Sequence, residues 1–340
     1  MARTGASLHR KILVAMDGVW LKRVIITGAS GFVGSNLARR LLYDGHQIHL
    51  LVRPGYTRWR IEAIRNDVHF HETNLEDQDA VTDVVDKIRP DWVFHFAAHG
   101  AYSHQTDLSQ IVKTNILGTI NLVEACLKAG FEAFVNTGSS SEYGFKDHAP
   151  SETDWLEPNS HYAVTKAAAT LFCRYTAQSR GVHLPTLRLY SVYGPYEEPT
   201  RLMPTLILRG LAGELPPLVH PEIARDYVYI EDVNDAYLLA AIHSGEEPGA
   251  IYNVATGTRT TLREVVEVAR RLMSIDTRAE WGSMPERVWD TSFWVGDIRK
   301  IQKELEWKPR YTFEQGFLEM IAWFQEDTGR VDFYRSRLSQ

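Results

Sequence analysis

The sequence predicts an α/β fold, a doubly wound parallel sheet with a smaller mixed α/β lobe on its C-terminal side. Three observations carry that expectation. From Arg23 to about Gly194, short apolar runs alternate with amphipathic segments of helical length, the rhythm of a parallel sheet wrapped by helices. Glycine follows several helix-like segments, at Gly45, Gly130 and Gly181, where a left-handed cap closes a helix. After Gly194 the pattern loosens into the proline-rich "PYEEPTRLMPTLILRGLAGELPPLVHPEIARDYVYIEDV" and then into irregular strands and helices. The expected organisation is a loose leader over 1–20, a larger domain over 21–194, and a smaller lobe over 195–340 partly interleaved with it.

Composition narrows the class. A chain of 340 residues with 44% hydrophobic content buries a substantial core. Its net charge of -6 leaves no broad basic surface, so nucleic acid is not an expected partner, and a small anionic ligand needs local arginines. No run approaches membrane-spanning length, and "ILVAM" is too brief for a signal-peptide core, which points to the cytoplasm. Cys126 and Cys173 fall in helix-like segments without neighbouring thiols, as buried reduced cysteines do.

Taken in order, "RVIITG" reads as a strand, the segment around Gly28, Gly31 and Gly34 as a turn, and "SNLARRLLYDG" as a helix. Small residues are needed here because the backbone turns tightly and lets a pyrophosphate approach the amides at the helix start, where the macrodipole favours an anion. This makes the sheet Rossmann-type and residues 21–194 an NAD(P)-binding domain. The next strand, "QIHLLV", leads into "RPGYTRWR". A carboxylate normally ends that strand to meet the ribose of NAD; Arg53, with Arg58 or Arg60 nearby, suits the 2′-phosphate of NADP(H) instead, with NAD(H) as the alternative cofactor.

The strands "HFHETN", "DWVFHFAA", "EAFVNTG" and "LPTLRLYS" then alternate with the helices "AVTDVVDKI", "TNILGTINLVEACLKAG" and "YAVTKAAATLFCRYTAQSRG". "TGSSSEYG" places five hydroxyls and one carboxylate at the end of an apolar strand, either as a solvated loop or as the place where a substrate hydroxyl is held and a proton moved. "HYAVTK" sets Tyr162 and Lys166 on one helical face. A free phenol has a pKa of about 10, too high for a base near neutrality, and an adjacent ammonium favours the phenolate.

With the glycine turn, the serine run and this pair in order, the chain resembles the extended short-chain dehydrogenase/reductase family of nucleotide-sugar epimerases, dehydratases and reductases. The resemblance runs from about Arg23 to about Gly316 and rests on "TGASGFVG", "HFAA", "NILGTINLVEAC", "SSSEYG", "YAVTK", "RLYSVYGP", "RDYVYIEDV", "YNVATG" and "LEWKP". It implies hydride transfer on the sugar of a nucleotide-diphosphate sugar, with Tyr162 as acid/base, Lys166 on the nicotinamide ribose, and Ser139 holding the reacting oxygen. It implies cofactor contacts from Gly28, Ser30, Gly31, Phe32, Val33 and Gly34, from Arg53, Asn74, Leu75, Ala97 and Ala98, and from Tyr190. Ser140, Ser141 and Ser191 match substrate positions, and Arg225 and Arg287 match those that hold the substrate diphosphate. A homodimer through the helices around Asn115 to Lys128 and Tyr162 to Arg180 is implied as well.

The chain departs from the family pattern in places. Asn74 stands where aspartate is frequent, Ser191 where asparagine is frequent, and "PPLVHPEIA" replaces a glycine-rich turn. Dehydratases carry a glutamate two places before the tyrosine of this run; here that place is Ser141, and Glu142 comes one residue late. On a strand, one residue's shift turns a side chain to the opposite face. The expectation is therefore a nucleotide-diphospho-4-keto-6-deoxyhexose 4-reductase, with a nucleotide-sugar 4-epimerase that retains its cofactor as the alternative. A 4,6-dehydratase follows only if a bulge returns Glu142 to the site, and a non-catalytic dinucleotide-binding protein is disfavoured by the intact Ser139, Tyr162 and Lys166. No metal is expected: His95, His99 and His104 lack an acid or cysteine to complete a ligand set. His99 or His104 in the sugar pocket, and Trp289 or Trp294 covering a base or hexose, remain secondary expectations.

Overall fold

The computed structural model describes residues 21–102, 104–285 and 291–338. The expected leader over 1–20 lies outside them. Among the described residues, seven strands form the central sheet: β1 (Arg23–Thr27), β2 (Gln47–Val52), β3 (His69–Glu72), β4 (Trp92–His95), β5 (Ala133–Ser139), β6 (Thr186–Leu189) and, past three short strands, β10 (Ile251–Val254). Their spatial order is β3-β2-β1-β4-β5-β6-β10, and every neighbouring pair is parallel. The order reverses between β1 and β4, so the strand ends part there and leave a crevice.

Strand periodicity sends alternate residues of β1 to opposite layers. Val24 and Ile26 pack with Leu37, Ala38 and Leu41 of α1 (Phe32–Tyr43), and Ile25 packs with Val81 and Val85 of α2 (Gln78–Ile88). The α2 layer continues with α3 (Leu108–Val112), a π-turn over Lys113–Leu117, α4 (Gly118–Ala129) and α5 (His161–Arg180). Cys126 and Cys173 are buried in that layer as free thiols.

From Ser191 onward the chain builds α6 (Leu202–Gly210) and two small sheets. In these, β7 (Ser191–Tyr193) pairs with β9 (Tyr227–Tyr229), and β8 (Ala224–Arg225) with β11 (Thr260–Thr261). It also returns to the first sheet: α7 (Ile230–Ile242) lies beside α1, where the Arg40 guanidinium donates to Asp235 Oδ1 at 2.9 Å, and β10 adds the outer strand. The remaining helices are α8 (Leu262–Met273), α9 (Arg299–Leu305), α10 (Phe313–Gln325) and α11 (Thr328–Leu338). "LEWKP" docks on α7: Trp307 Nε1 donates to Asp232 O at 2.9 Å, and the Arg310 amide donates to its carboxylate at 3.0 Å.

Gly144 closes the serine run with φ at +70°, and a Cβ there would stand 1.9 Å from the Glu157 carbonyl oxygen. Gly144→Ala is therefore expected to lower folding stability by about 2 kcal/mol or more, read from the midpoint of denaturant unfolding.

Candidate active site

The crevice begins at the glycine turn. Gly28 has φ at +68°, and a Cβ there would lie 2.6 Å from the Ala97 amide nitrogen, so β1 and β4 approach only because no side chain intervenes. At Gly34 a Cβ would lie 2.8 Å from the Gly28 carbonyl oxygen, which glycine avoids to seat α1 against the strand end. The N-cap of α1 is Gly31, and no side chain caps the first-turn amides of Phe32, Val33 and Gly34. A cradle without Cβ atoms, closed by uncapped amides at a positive helix end, fits a dinucleotide pyrophosphate.

Beneath this cradle a neutral imidazole locks the strand ends. Thr119 Oγ1 donates to the Asn115 carbonyl at 2.7 Å, so it accepts from His95 Nε2 at 2.9 Å. Nδ1 then accepts from Thr27 Oγ1 at 2.7 Å, whose oxygen in turn accepts the Ala97 amide at 3.3 Å. Burial holds the His95 pKa down at about 3, and the Lys166 charge adds to the lowering.

Arg53 is exposed just past β2. Arg60 is not available as the second cation that its position promised. It is buried, with Nε donating to Tyr196 O at 2.8 Å, one NH group to Ser30 O at 3.3 Å and the other to Glu198 Oε2 at 2.8 Å. Its charge is committed to tying the glycine turn to the segment after β7. Asn74 is exposed and accepts the Glu76 amide at 3.1 Å, and the Leu75 carbonyl accepts from Asn121 Nδ2 at 2.9 Å.

The serine run ends β5 and enters a 3₁₀ turn over Ser140–Tyr143. Ser139 and Ser141 hydroxyls meet at 2.8 Å, and the Ser139 side chain hydrogen-bonds the Tyr162 phenol from the first turn of α5. Lys166 follows one turn later and is buried. Asn115, in the π-turn, holds this corner: its amide donates to His99 O and Thr165 Oγ1 at 2.8 and 2.9 Å, and its oxygen accepts the His99 amide at 2.8 Å. Thr165 Oγ1 donates to the Tyr162 carbonyl at 2.9 Å. Glu142 does not enter the crevice; its carboxylate is fully buried and paired with Arg188 at 2.8 Å.

The electrostatics differ from the expectation in one respect. Burial pushes the Tyr162 phenol up to about 12, with the Ser139 hydrogen bond opposing and the Glu142 charge adding to the rise. Burial also lowers the Lys166 pKa, and the Glu142 charge opposes that fall. Desolvation thus outweighs the acidifying effect expected of the lysine, and the protein alone holds a neutral phenol.

On the opposite wall, Trp294 Nε1 donates to Ser140 Oγ at 3.0 Å. The Arg225 guanidinium lies 5.7 Å from the Trp294 ring and donates to Ala224 O at 2.9 Å. The Ser191 amide donates to Asp226 O at 3.0 Å, and the Tyr190 ring is buried where Gly296 leaves room for it. Arg287 and Trp289 lie outside the described residues. His99 senses the Arg53 charge, whereas His104 stacks on Tyr102 at 5.7 Å. Tyr102 and Arg201 both act on the Tyr162 phenol electrostatically, and neither was singled out in the sequence, because each reaches it from a loop far away along the chain. A polar asparagine within "TNILGTI" was the one local sign of Asn115.

Comparisons with known proteins agree on this architecture. Residues 24–255 match the model of the NAD dependent epimerase/dehydratase family. A trifunctional UDP-glucose 4,6-dehydratase/UDP-4-keto-6-deoxy-D-glucose 3,5-epimerase/UDP-4-keto-L-rhamnose-reductase of Arabidopsis thaliana is 29% identical over 321 residues, 90% of this chain and 47% of that protein. The chain thus spans about half the length of that relative. The structure of UDP-glucose 4-epimerase with UDP-glucose from Thermotoga maritima superposes with a TM-score of 0.81 at 26% identity, covering 89% of this chain and 98% of that one. MoeE5 in complex with UDP-glucose and NAD gives 0.76 at 30% identity, covering 89% and 98%.

A spectrophotometric pH titration of the cofactor-free protein, taken as the difference between wild type and Tyr162→Phe, is expected to show no phenolate from Tyr162 below about pH 11. Ionisation near neutrality would mean that the lysine, and not burial, governs the phenol.

Proposed function

From membership of the NAD-dependent epimerase/dehydratase family, to which this chain belongs, we propose a nucleotide-sugar oxidoreductase, and within that class an NADPH-dependent 4-reductase of a nucleotide-diphospho-4-keto-6-deoxyhexose. One observation carries the reading: the Ser139 side chain meets the Tyr162 phenol, with Lys166 buried one turn further along α5, while Glu142, the one carboxylate of the serine run, is turned away and paired with Arg188. Water elimination from a hexose needs a base and an acid at adjacent carbons, and a carboxylate locked in an ion pair behind the strand supplies neither.

A bound dinucleotide would supply the hydride for the sugar carbonyl carbon. Ser139 Oγ–H donates to the carbonyl oxygen, and the Tyr162 phenol delivers its proton to the same oxygen as the C–H bond forms. A phenol held neutral by burial suits a proton donor. The resulting phenolate is steadied by Lys166, which also holds the nicotinamide ribose, and is reprotonated from solvent. The amides of Phe32, Val33 and Gly34 take the pyrophosphate; Asn74 and Leu75 flank the adenine; Ala97, Ala98 and Tyr190 line the nicotinamide side. Arg53, exposed past β2, would meet a 2′-phosphate, which is the ground for choosing NADPH. Arg225, with Arg287, takes the substrate diphosphate, and Ser140, Ser141 and Ser191 take sugar hydroxyls.

Likeness to a UDP-glucose 4-epimerase supports a second reading, in which the dinucleotide stays bound and the hydride returns to the other face of the sugar. The two separate in one experiment. With purified full-length protein, a 4-keto-6-deoxy nucleotide sugar is expected to drive steady oxidation of NADPH, and Tyr162→Phe to slow it by about 10²-fold or more. Mass spectrometry that finds tightly retained dinucleotide, with no net NADPH consumption by any 4-keto sugar, would replace the reductase with the epimerase. Arg53→Asp is expected to weaken NADPH binding about tenfold or more relative to NADH in a fluorescence titration.

A homodimer accompanies this reading. Leu108, Val112 and Leu117, along α3 and the π-turn, and Val164, Leu171 and Tyr175 on α5 leave apolar side chains exposed on neighbouring helices. Two copies meeting there would cover them, and Leu171→Glu with Tyr175→Glu is expected to give a monomer by light scattering.

A further inference from the structure

Glu142 is fully buried, and each of its carboxylate oxygens has a defined partner. Oε1 accepts the Ser139 amide at 2.8 Å and the Thr170 hydroxyl at 3.1 Å; Oε2 accepts Arg188 Nε at 2.8 Å. Arg188 also donates to the Tyr143 hydroxyl at 2.8 Å, and that hydroxyl donates to Asn253 Oδ1 at 2.8 Å. One carboxylate therefore joins the end of β5, strand β6 and the turn of α5 that follows Lys166. Gly138 makes the fold-back feasible, because a Cβ there would stand 2.8 Å from Glu142 Oε1 and 3.0 Å from Arg188 Cγ.

Resting on the reading that Ser139, Tyr162 and Lys166 move the proton and hold the cofactor, we propose that Glu142 is their positioning residue: it fixes the Ser139 backbone against α5 and is the buried counter-charge of Lys166. Its one-place displacement along the serine run exchanges a carboxylate in the crevice for one that organises the crevice from behind.

The groups facing this cluster are known from each element around it. Lys166 senses Glu142 and Cys173, with the neutral His95 on the sheet side, and Tyr162 senses Ser139, Glu142, Tyr102 and Arg201. The Glu142 charge raises the pKa of both Lys166 and Tyr162. Both groups act in their protonated forms during reduction. Removing the charge lowers both pKa values, so both protons are lost at a lower pH and the alkaline limb of the rate profile moves toward acid.

The test is the pH dependence of kcat/KM and of NADPH binding in the full chain. Glu142→Gln keeps an acceptor oxygen for the Ser139 amide and removes the charge; its alkaline limb is expected about one pH unit below that of wild type in both measurements. Glu142→Asp keeps the charge, and its limb is expected at the wild-type position with a lower kcat. Should Glu142→Gln not fold because Arg188 is left unpaired, the double variant Glu142→Gln/Arg188→Met replaces the pair with neutral groups, and a smaller shift in the same direction is expected of it, since the opposing Arg188 charge is removed too. Limbs that superimpose on wild type, with only a uniform loss of rate, would overturn the proposal and leave Glu142 a structural ion pair. The binding limb requires no sugar, so the proposal is judged even where no 4-keto sugar is turned over, an outcome that would count against the reductase reading alone.

Discussion

Two strand ends, β1 and β4, meet without a side chain between them, and the candidate site follows from that contact. Gly28 leaves the space, and the Thr27–His95–Thr119 chain of hydrogen bonds fixes the spacing with an imidazole that burial keeps neutral. Because the strand order reverses there, the chain on one side leads into the uncapped amides of α1 and on the other into the loop over the crevice. The uncapped helix end and the Ser139–Tyr162 corner are thereby held on the same rim by the packing of the sheet, before any ligand contributes.

The Ser139–Tyr162 corner depends on a second buried constraint. Ser139 lies at the end of β5 and Tyr162 in the first turn of α5, and a hydroxyl pair can exchange a proton only if those elements keep their relation. The Glu142–Arg188 pair ties β5 to β6, Thr170 ties it to α5, and Asn115 ties the π-turn to both α5 and the loop after β4. Breaking one member of such a pair leaves an uncompensated buried charge, so its arrangement is strongly over-determined. The same burial raises the phenol and lowers the ammonium, and the Glu142 charge raises both.

What was legible in the sequence was local. The glycine turn, the serine run and the tyrosine–lysine spacing each draw their meaning from backbone geometry within a few residues, and the alternation of apolar runs marks the strands and helices of the sheet. What was not legible depends on partners far apart in sequence. Arg60 offers positive charge near the adenosine side, yet Glu198 and two carbonyls consume it. Period-two reasoning placed Glu142 on the face away from the site; it is indeed away, but within a 3₁₀ turn and because Arg188 holds it there. The phenol expected to be acidified is pushed the other way, since burial is a property of the packed interior and not of residue spacing. Tyr102 and Arg201 act on the phenol from loops whose apposition no local pattern encodes.

The central claim is that this corner adds a proton to the oxygen of a sugar carbonyl whose carbon receives a hydride from a dinucleotide. Its most direct test is label transfer: NADPH carrying deuterium at the transferable nicotinamide position, incubated with the protein and a 4-keto-6-deoxy nucleotide sugar, with the product read by NMR. The account predicts one deuterium on C4 of the hexose for each NADPH oxidised. A hexose inverted or altered without deuterium at C4, or deuterium that never leaves the dinucleotide, would contradict it.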